Sequence, residues 1–177
     1  MRTSVFVGTS VDGFIARPHG ELDWLPTDGG EEHGYADFIA SVDVLVIGRN
    51  TYDTVLRFPA WPYGSKPVVV LTTRPLPPAP QGARVESMAG APADIVASLR
   101  RRGCQHAYVD GGITVQRFLA AGLIQRLTLT RVPVLIGSGI PLFGTLPHDV
   151  RLRHLGTRSY ASGLVCSEYA VERAERT

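Results

Sequence analysis

Residues 44–52, Val44-Leu45-Val46-Ile47-Gly48-Arg49-Asn50-Thr51-Tyr52, form the stretch whose reading decides the fold. Four consecutive apolar residues suit a strand covered on both faces. A glycine and a polar run then turn the chain into a short helix, which makes the segment a strand–helix unit. The pattern recurs. Val68-Val69-Val70-Leu71 ends in Thr72-Thr73-Arg74-Pro75, and Ala107-Tyr108-Val109 leads through Asp110 to Gly111-Gly112, where a helix opens that closes at Gly122. Such alternation predicts helices packed around a largely parallel sheet.

Working outward, residues 3–8 read as the first strand, followed by a Gly-, Pro- and Asp-rich loop. A helix is expected from about 29 to 41, with Asp28 and Glu31 as a capping box and Tyr35, Phe38, Ile39 and Val42 as its apolar stripe. Four prolines within 75–82 exclude helix and central strand there. A short strand is expected near 83–87, then a helix over 92–102 with Pro92 in its first turn and Gly103 at its end. Residues 126–136 read as one long strand in which Pro133 forces an edge or a bulge. Residues 151–159 and 164–172 alternate polar and apolar around Ala161-Ser162-Gly163, a hairpin pattern. The expected fold class is α/β: one domain over 1–177 with its core in 3–172, a mostly parallel mixed sheet, antiparallel C-terminal strands and helices on both faces.

Composition narrows the function classes. The 177 residues are 44% hydrophobic and 19% charged, ordinary for a globular protein. No apolar run is long enough to span a membrane, and the first residues do not read as a signal peptide, so a cytoplasmic protein is expected. The formal charge is only +2. The one dense basic run, Arg100-Arg101-Arg102, closes a predicted helix, where cations suit the dipole, so no nucleic-acid partner is expected. Cys104 and Cys166 read as free thiols, and the scattered histidines offer no metal-ligand spacing.

Three corners therefore carry the binding argument: Gly48 to Thr51, Thr72 to Arg74, and Gly111 to Thr114. Each follows a predicted strand. Ligands of open α/β sheets collect at the carboxyl ends of strands, where unpaired amides and helix dipoles favour phosphate. Two missing Cβ atoms at Gly111-Gly112 would let a diphosphate approach the backbone, and Arg49 and Arg74 can fork onto phosphate oxygens. A glycine at such a junction also serves simply as a turn. The Walker loop, the G-x-G-x-x-G fingerprint and the G-x-S-x-G elbow are all absent.

Five segments in order carry a family resemblance: Ser10-Val11-Asp12-Gly13-Phe14-Ile15-Ala16, Val46 to Tyr52, Leu71-Thr72-Thr73-Arg74, Val109-Asp110-Gly111-Gly112, and Pro133 to Phe143 with its Ile136-Gly137-Ser138-Gly139-Ile140-Pro141 centre. Together they resemble the dihydrofolate reductase superfamily, most of all the reductase domain of the bifunctional riboflavin-biosynthesis deaminase-reductases and its stand-alone relatives. The resemblance spans residues 3 to 172. It implies NADPH as cofactor, hydride delivery to a C=N or C=O bond of a small planar heterocycle (pterin-, aminopyrimidine- or flavin-like), and a homodimer. It implies that Ile15 and Ala16 face the nicotinamide carboxamide. Gly48, Arg49, Asn50 and Thr51 with Gly111, Gly112, Ile113 and Thr114 would hold the diphosphate. Thr72, Thr73 and Arg74, helped by Arg49, would take the ribose and its 2′-phosphate.

Hydride transfer asks the protein mainly for alignment and a dry pocket. In dihydrofolate reductases an acid on the first helix pairs with the substrate ring. Glu31 falls nearest the apolar stripe at about 100° per residue, but it is equally the capping-box partner of Asp28. The stretch lacks the folate enzymes' tryptophan–proline spacing. Asp12 is the second candidate acid, with an Asx-turn before Gly13 as its structural alternative. Trp24 and Tyr52 are candidate substrate walls or core aromatics, and Asp110 reads as a brace for the double-glycine turn. The expected function is an NADPH-dependent reductase; the alternative is a nucleotide-binding module without turnover.

Overall fold

The computed structural model describes residues 1–26 and 32–172. Among these, chain order runs β1 (Arg2–Ser10), β2 (Phe14–Ala16), α1 (Tyr35–Ala40), β3 (Val44–Gly48), α2 (Arg49–Val55), β4 (Pro67–Leu71) and β5 (Arg84–Met88). Then come α3 (Pro92–Arg101), β6 (His106–Asp110), α4 (Gly112–Ala120), β7 (Arg126–Val132), β8 (Ile140–Pro141), β9 (Leu152–Ser159) and β10 (Val165–Val171). Eight strands make one sheet in the order β5-β4-β3-β6-β1-β7-β10-β9. All neighbours from β5 to β7 are parallel, and β10 runs antiparallel to both β7 and β9. The α/β class, with its parallel centre and antiparallel C-terminal strands, is as the sequence led us to expect.

Strand β3 shows why the apolar run had to be continuous. Successive side chains point to opposite faces. Val44 and Val46 join Ile95 and Leu99 of α3 and Val115 and Phe118 of α4 in one core. Leu45 and Ile47 join Tyr52 and Val55 of α2, with Phe38 and Ile39 of α1 packed against them, in the other. Each such side chain, once fully buried, contributes about 1.5–3 kcal/mol.

The structure differs from the sequence reading at three points. Helix α1 starts at Tyr35, behind Gly34 at φ 80°, a left-handed conformation outside the helical range, and residues 32–34 are not part of it. The predicted capping box, Asp28 and Glu31, lies outside the described residues. Strand β7 stops at Val132, because Pro133 has no N–H to continue the ladder. Val134 O instead accepts a hydrogen bond from Val11 N at 2.9 Å, tying this turn to the end of β1. The segment 14–16, expected as loop, pairs with 140–141 as the two-stranded sheet β2–β8. Gly139 is needed there because a Cβ would run into Ala16 O. The basic run behaves as a helix end: Arg100 and Arg101 occupy the last turn of α3, and Arg102 pairs with Glu86.

Candidate active site

The carboxyl ends of β4, β3 and β6 stand side by side. Gly48 pairs with Leu71 across one ladder and Ile47 with Asp110 across the other. The three predicted corners thus share one sheet edge. Two of them interlock: a Cβ on Gly48 would lie 2.8 Å from Thr114 Oγ1, and one on Gly111, at φ 95°, would run into Thr51 Oγ1. Gly112 is equally tight, with a Cβ position 3.0 Å from Pro141 O and 3.2 Å from Ile15 Cδ1. Glycine at 48 and 111 makes room for the Thr114 and Thr51 hydroxyls, and glycine at 112 for the Pro141 carbonyl.

A cavity of about 1030 Å³ runs along this edge. Ile15, Ala16, the whole of Gly48 to Thr51 and the whole of Gly111 to Thr114 line it. The first turn of α4 begins at Gly112, so its amides point out of the helix at the cavity wall. Thr72, Thr73 and Arg74 are not on that wall, where β4 contributes Leu71. Thr73 and Arg74 are exposed beside it, and Arg74 N donates to Thr72 Oγ1 at 3.0 Å.

Arg49 lines the cavity, but much of its guanidinium is committed elsewhere. Its Nε donates to both Asp53 oxygens at 2.9 and 3.0 Å, and its Nη1 donates to Pro75 O at 2.9 Å. Arg49 thereby clasps the 75–77 segment against α2. Tyr52 does the same work from beneath, donating its hydroxyl to Pro77 O at 3.2 Å. Tyr52 is 0% exposed and packs in the core, so it is no substrate wall. Burial of its apolar ring outweighed the stacking role that the sequence left open. Trp24 is also off the wall, which its neighbours Leu22, Leu25 and Pro26 line instead.

Asp12 departs from the expected acid role. It is exposed, and its carboxylate accepts N–H bonds from Gly137 at 2.8 Å and Ile136 at 3.3 Å. The Ser10 hydroxyl and these amides hold its carboxyl below the usual range. It staples the β1 loop to the 136–137 turn and does not face the cavity. Glu31 lies outside the described residues.

The acid that does line the cavity is Asp110. Its Oδ1 accepts from Gly111 N at 2.8 Å, which is the bracing role the sequence suggested. Burial nevertheless pushes its carboxyl up to about 6, against the lowering effect of that N–H. Tyr35, Tyr63 and Tyr108 surround this charge. Burial, reinforced by the Asp110 carboxylate, pushes the Tyr35 phenol up to about 12 and raises those of Tyr63 and Tyr108 as well. No sequence signal gives such a shift, because it arises from rings brought in by separate elements. His33 and Thr130, also on the wall, were missed for the same reason.

Among the described residues no cluster of three or more potential metal ligands occurs, and no helix is long and apolar enough to cross a membrane.

The geometry has counterparts in known proteins. Dihydrofolate reductase from Enterococcus faecalis, solved in complex with NADP(H), shares the fold at TM-score 0.68 with 16% identity, covering 97% of each chain. A protein of Shewanella sp. PV-4, provisionally assigned to riboflavin biosynthesis, superposes at TM-score 0.89 with 39% identity over 98% of this chain and all of that one. The uncharacterised Bacillus subtilis (strain 168) protein YwjB is 32% identical over 166 residues, 92% of this chain and 94% of its own length. The pattern of the RibD C-terminal domain matches residues 4–166, from the first strand to the last, and this chain belongs to that family.

Proposed function

We propose that the protein is an NADPH-dependent reductase that delivers a hydride to a C=N or C=O bond of a small planar heterocycle. One observation carries the reading: the strand-end corners after β3 and β6 line a single cavity whose wall includes the first turn of a nine-residue helix, α4, and the corner after β4 stands on the same sheet edge beside it. That arrangement suits a diphosphate flanked by two sugars. The volume of about 1030 Å³ leaves room for a ring beside the coenzyme. The family, and a fold shared with a reductase solved with NADP(H), support the same conclusion.

In this reading Gly48 to Thr51 and Gly111 to Thr114 hold the diphosphate, and Ile15 and Ala16 flank the nicotinamide. Thr72 to Arg74, just outside the cavity mouth, take the ribose 2′-phosphate. When bound, the coenzyme supplies a hydride to a ring carbon, and the neighbouring nitrogen or oxygen gains a proton to balance the charge. Asp110 is the group on the wall able to hold that proton, because a carboxyl poised near 6 is partly protonated close to neutrality. The apolar and aromatic lining excludes water from the reacting atoms.

Titrating NADPH against the fluorescence of Trp24 and Trp61 tests the reading. Saturable quenching is expected, and its absence at millimolar coenzyme overturns the proposal. Arg74→Ala should weaken NADPH by about tenfold or more while sparing NADH, since the lost fork serves only the extra phosphate. Equal losses for the two coenzymes would assign the 2′-phosphate elsewhere.

A further inference from the structure

The cavity lies at the carboxyl ends of the parallel strands, and a different set of polar side chains meets at their amino ends. His106 opens β6 and is 5% exposed, with Arg2 as its register partner on β1. Alternation along β6 puts the imidazole on the same face as Tyr108 and Asp110. Phe38 of α1 covers that face, its ring edge-on to His106 at 5.9 Å and to Tyr108 at 5.0 Å. Histidine changes charge most readily near neutral pH, so its burial here calls for partners that suit one charge state or the other.

Its two ring nitrogens are placed differently. Nε2 lies 2.8 Å from Ser4 Oγ, a hydroxyl that can donate or accept. Nδ1 lies 3.0 Å from Arg2 Nη2, which can only donate, and 2.9 Å from Ser41 O, which can only accept. Ser41 Oγ, 3.3 Å from the same nitrogen, already donates its hydrogen to Phe38 O at 2.7 Å, so it too can only accept. One nitrogen cannot bond to both kinds of partner at once. A bare Nδ1 accepts from Arg2, and a protonated Nδ1 donates to Ser41. Two further charges face the ring. Asp43, before β3, accepts from Gln105 N at 2.7 Å and His106 N at 2.9 Å, and Lys66, before β4, donates to Ala40 O at 3.3 Å. Burial, helped by the Arg2 and Lys66 cations, holds His106 below the usual histidine range, against the Ser41 carbonyl and Asp43.

We infer that His106 is a proton-operated switch between two partners, joined when neutral to Arg2 at the start of β1 and when protonated to the Ser41 carbonyl at the end of α1. In the neutral ring Nε2–H donates to Ser4 Oγ and Nδ1 accepts from Arg2. On acidification Nδ1 takes a proton from solvent and donates to Ser41 O, while the Ser4 bond stays as it was. Arg2 then loses its acceptor, faces a cation, and turns to the solvent in which its side chain already lies. The exchange moves a fastening from β1 to α1, the helix whose first residue, Tyr35, lines the cavity. Because the native chain binds this proton more weakly than the unfolded chain, the stability His106 contributes is present above the ordinary value of 6.5 and lost as pH falls through the lower native one. None of this depends on what the cavity binds.

The test is a pH titration of the full chain, with no ligand added, by long-range proton–nitrogen NMR of the histidine rings. For His106 a bare Nδ1 and a protonated Nε2 are expected at neutral pH, and two protonated nitrogens in acid, with a midpoint below that of the same histidine in the unfolded chain. A neutral ring that carries its proton on Nδ1 overturns the inference, because Ser41 would then hold it in both states. Arg2→Met removes the competing donor. It should raise the midpoint and move the neutral proton to Nδ1, and an unchanged midpoint and tautomer also overturn the inference. The same variant has a thermal readout. Between about pH 7.5 and about pH 5 it should lose fewer degrees of melting temperature than the parent, by about 2–4 °C. Equal losses would reduce Arg2 to a packing role and end the proposal.

Discussion

The two ends of the cavity are built from different materials. At the β3–β6 end the wall is mostly main chain: two turns interlocked through glycine, with the first amides of α4 exposed to the cavity. At the β7–β10 end it is side chain, with Thr130, His33 and Leu164 drawn from widely separated segments. The contrast teaches where tolerance to change lies. A backbone cradle is broken by adding one methyl group, whereas a side-chain wall is retuned by exchanging one.

Gly111→Val should break the contrast most severely. The left-handed φ of 95° and the overlap with Thr51 together should cost about 2–4 kcal/mol, read by urea unfolding. A cost below about 0.5 kcal/mol, the range of ordinary surface changes, would mean that the corners do not interlock.

Asp110→Asn probes the group between the two ends. A carboxyl raised to about 6 favours the protonated native state, so the native chain binds the proton more tightly than the unfolded chain does. This group therefore withdraws stability as pH climbs from about 4 to 6, and the deficit persists above that. Removing the charge should make the variant more stable than the parent at pH 8 by about 2–3 kcal/mol, with no advantage at pH 4. Its hydride-transfer rate should also lose the parent's titration near pH 6. An equal stability difference at both pH values would show the carboxyl to be unperturbed. The smallest effect belongs to Tyr52→Phe, which deletes only the hydroxyl bond to Pro77 O and should cost about 1 kcal/mol in melting experiments.

The same division governs how much could be read from the sequence. The backbone end leaves local marks, because a turn that admits no Cβ must be written as glycine and a strand buried on both faces as a run such as Val44 to Ile47. The sheet and its strand-end corners were legible for that reason. The side-chain end leaves none: Thr130 looks like any polar residue in a strand, and His33 like any scattered histidine, until β7 and the chain before α1 are folded together. Asp12 and Tyr52 misled because their types fit a site while their surroundings, two backbone amides and a packed core, claimed them first. The apolar stripe of α1 predicts a longer helix than Gly34 permits, because the left-handed conformation of that glycine sets the boundary.

The prolines of 75–78 bear on how the cavity meets its guest. Rings at Pro75 and Pro77 fix φ and carry no N–H, yet their carbonyls accept from Arg49 and Tyr52. Proline also narrows the unfolded ensemble, so holding this rim in place demands little conformational entropy. An edge already rigid before association spends none of the ligand's affinity on ordering itself, and leaves that affinity for telling one ligand from another.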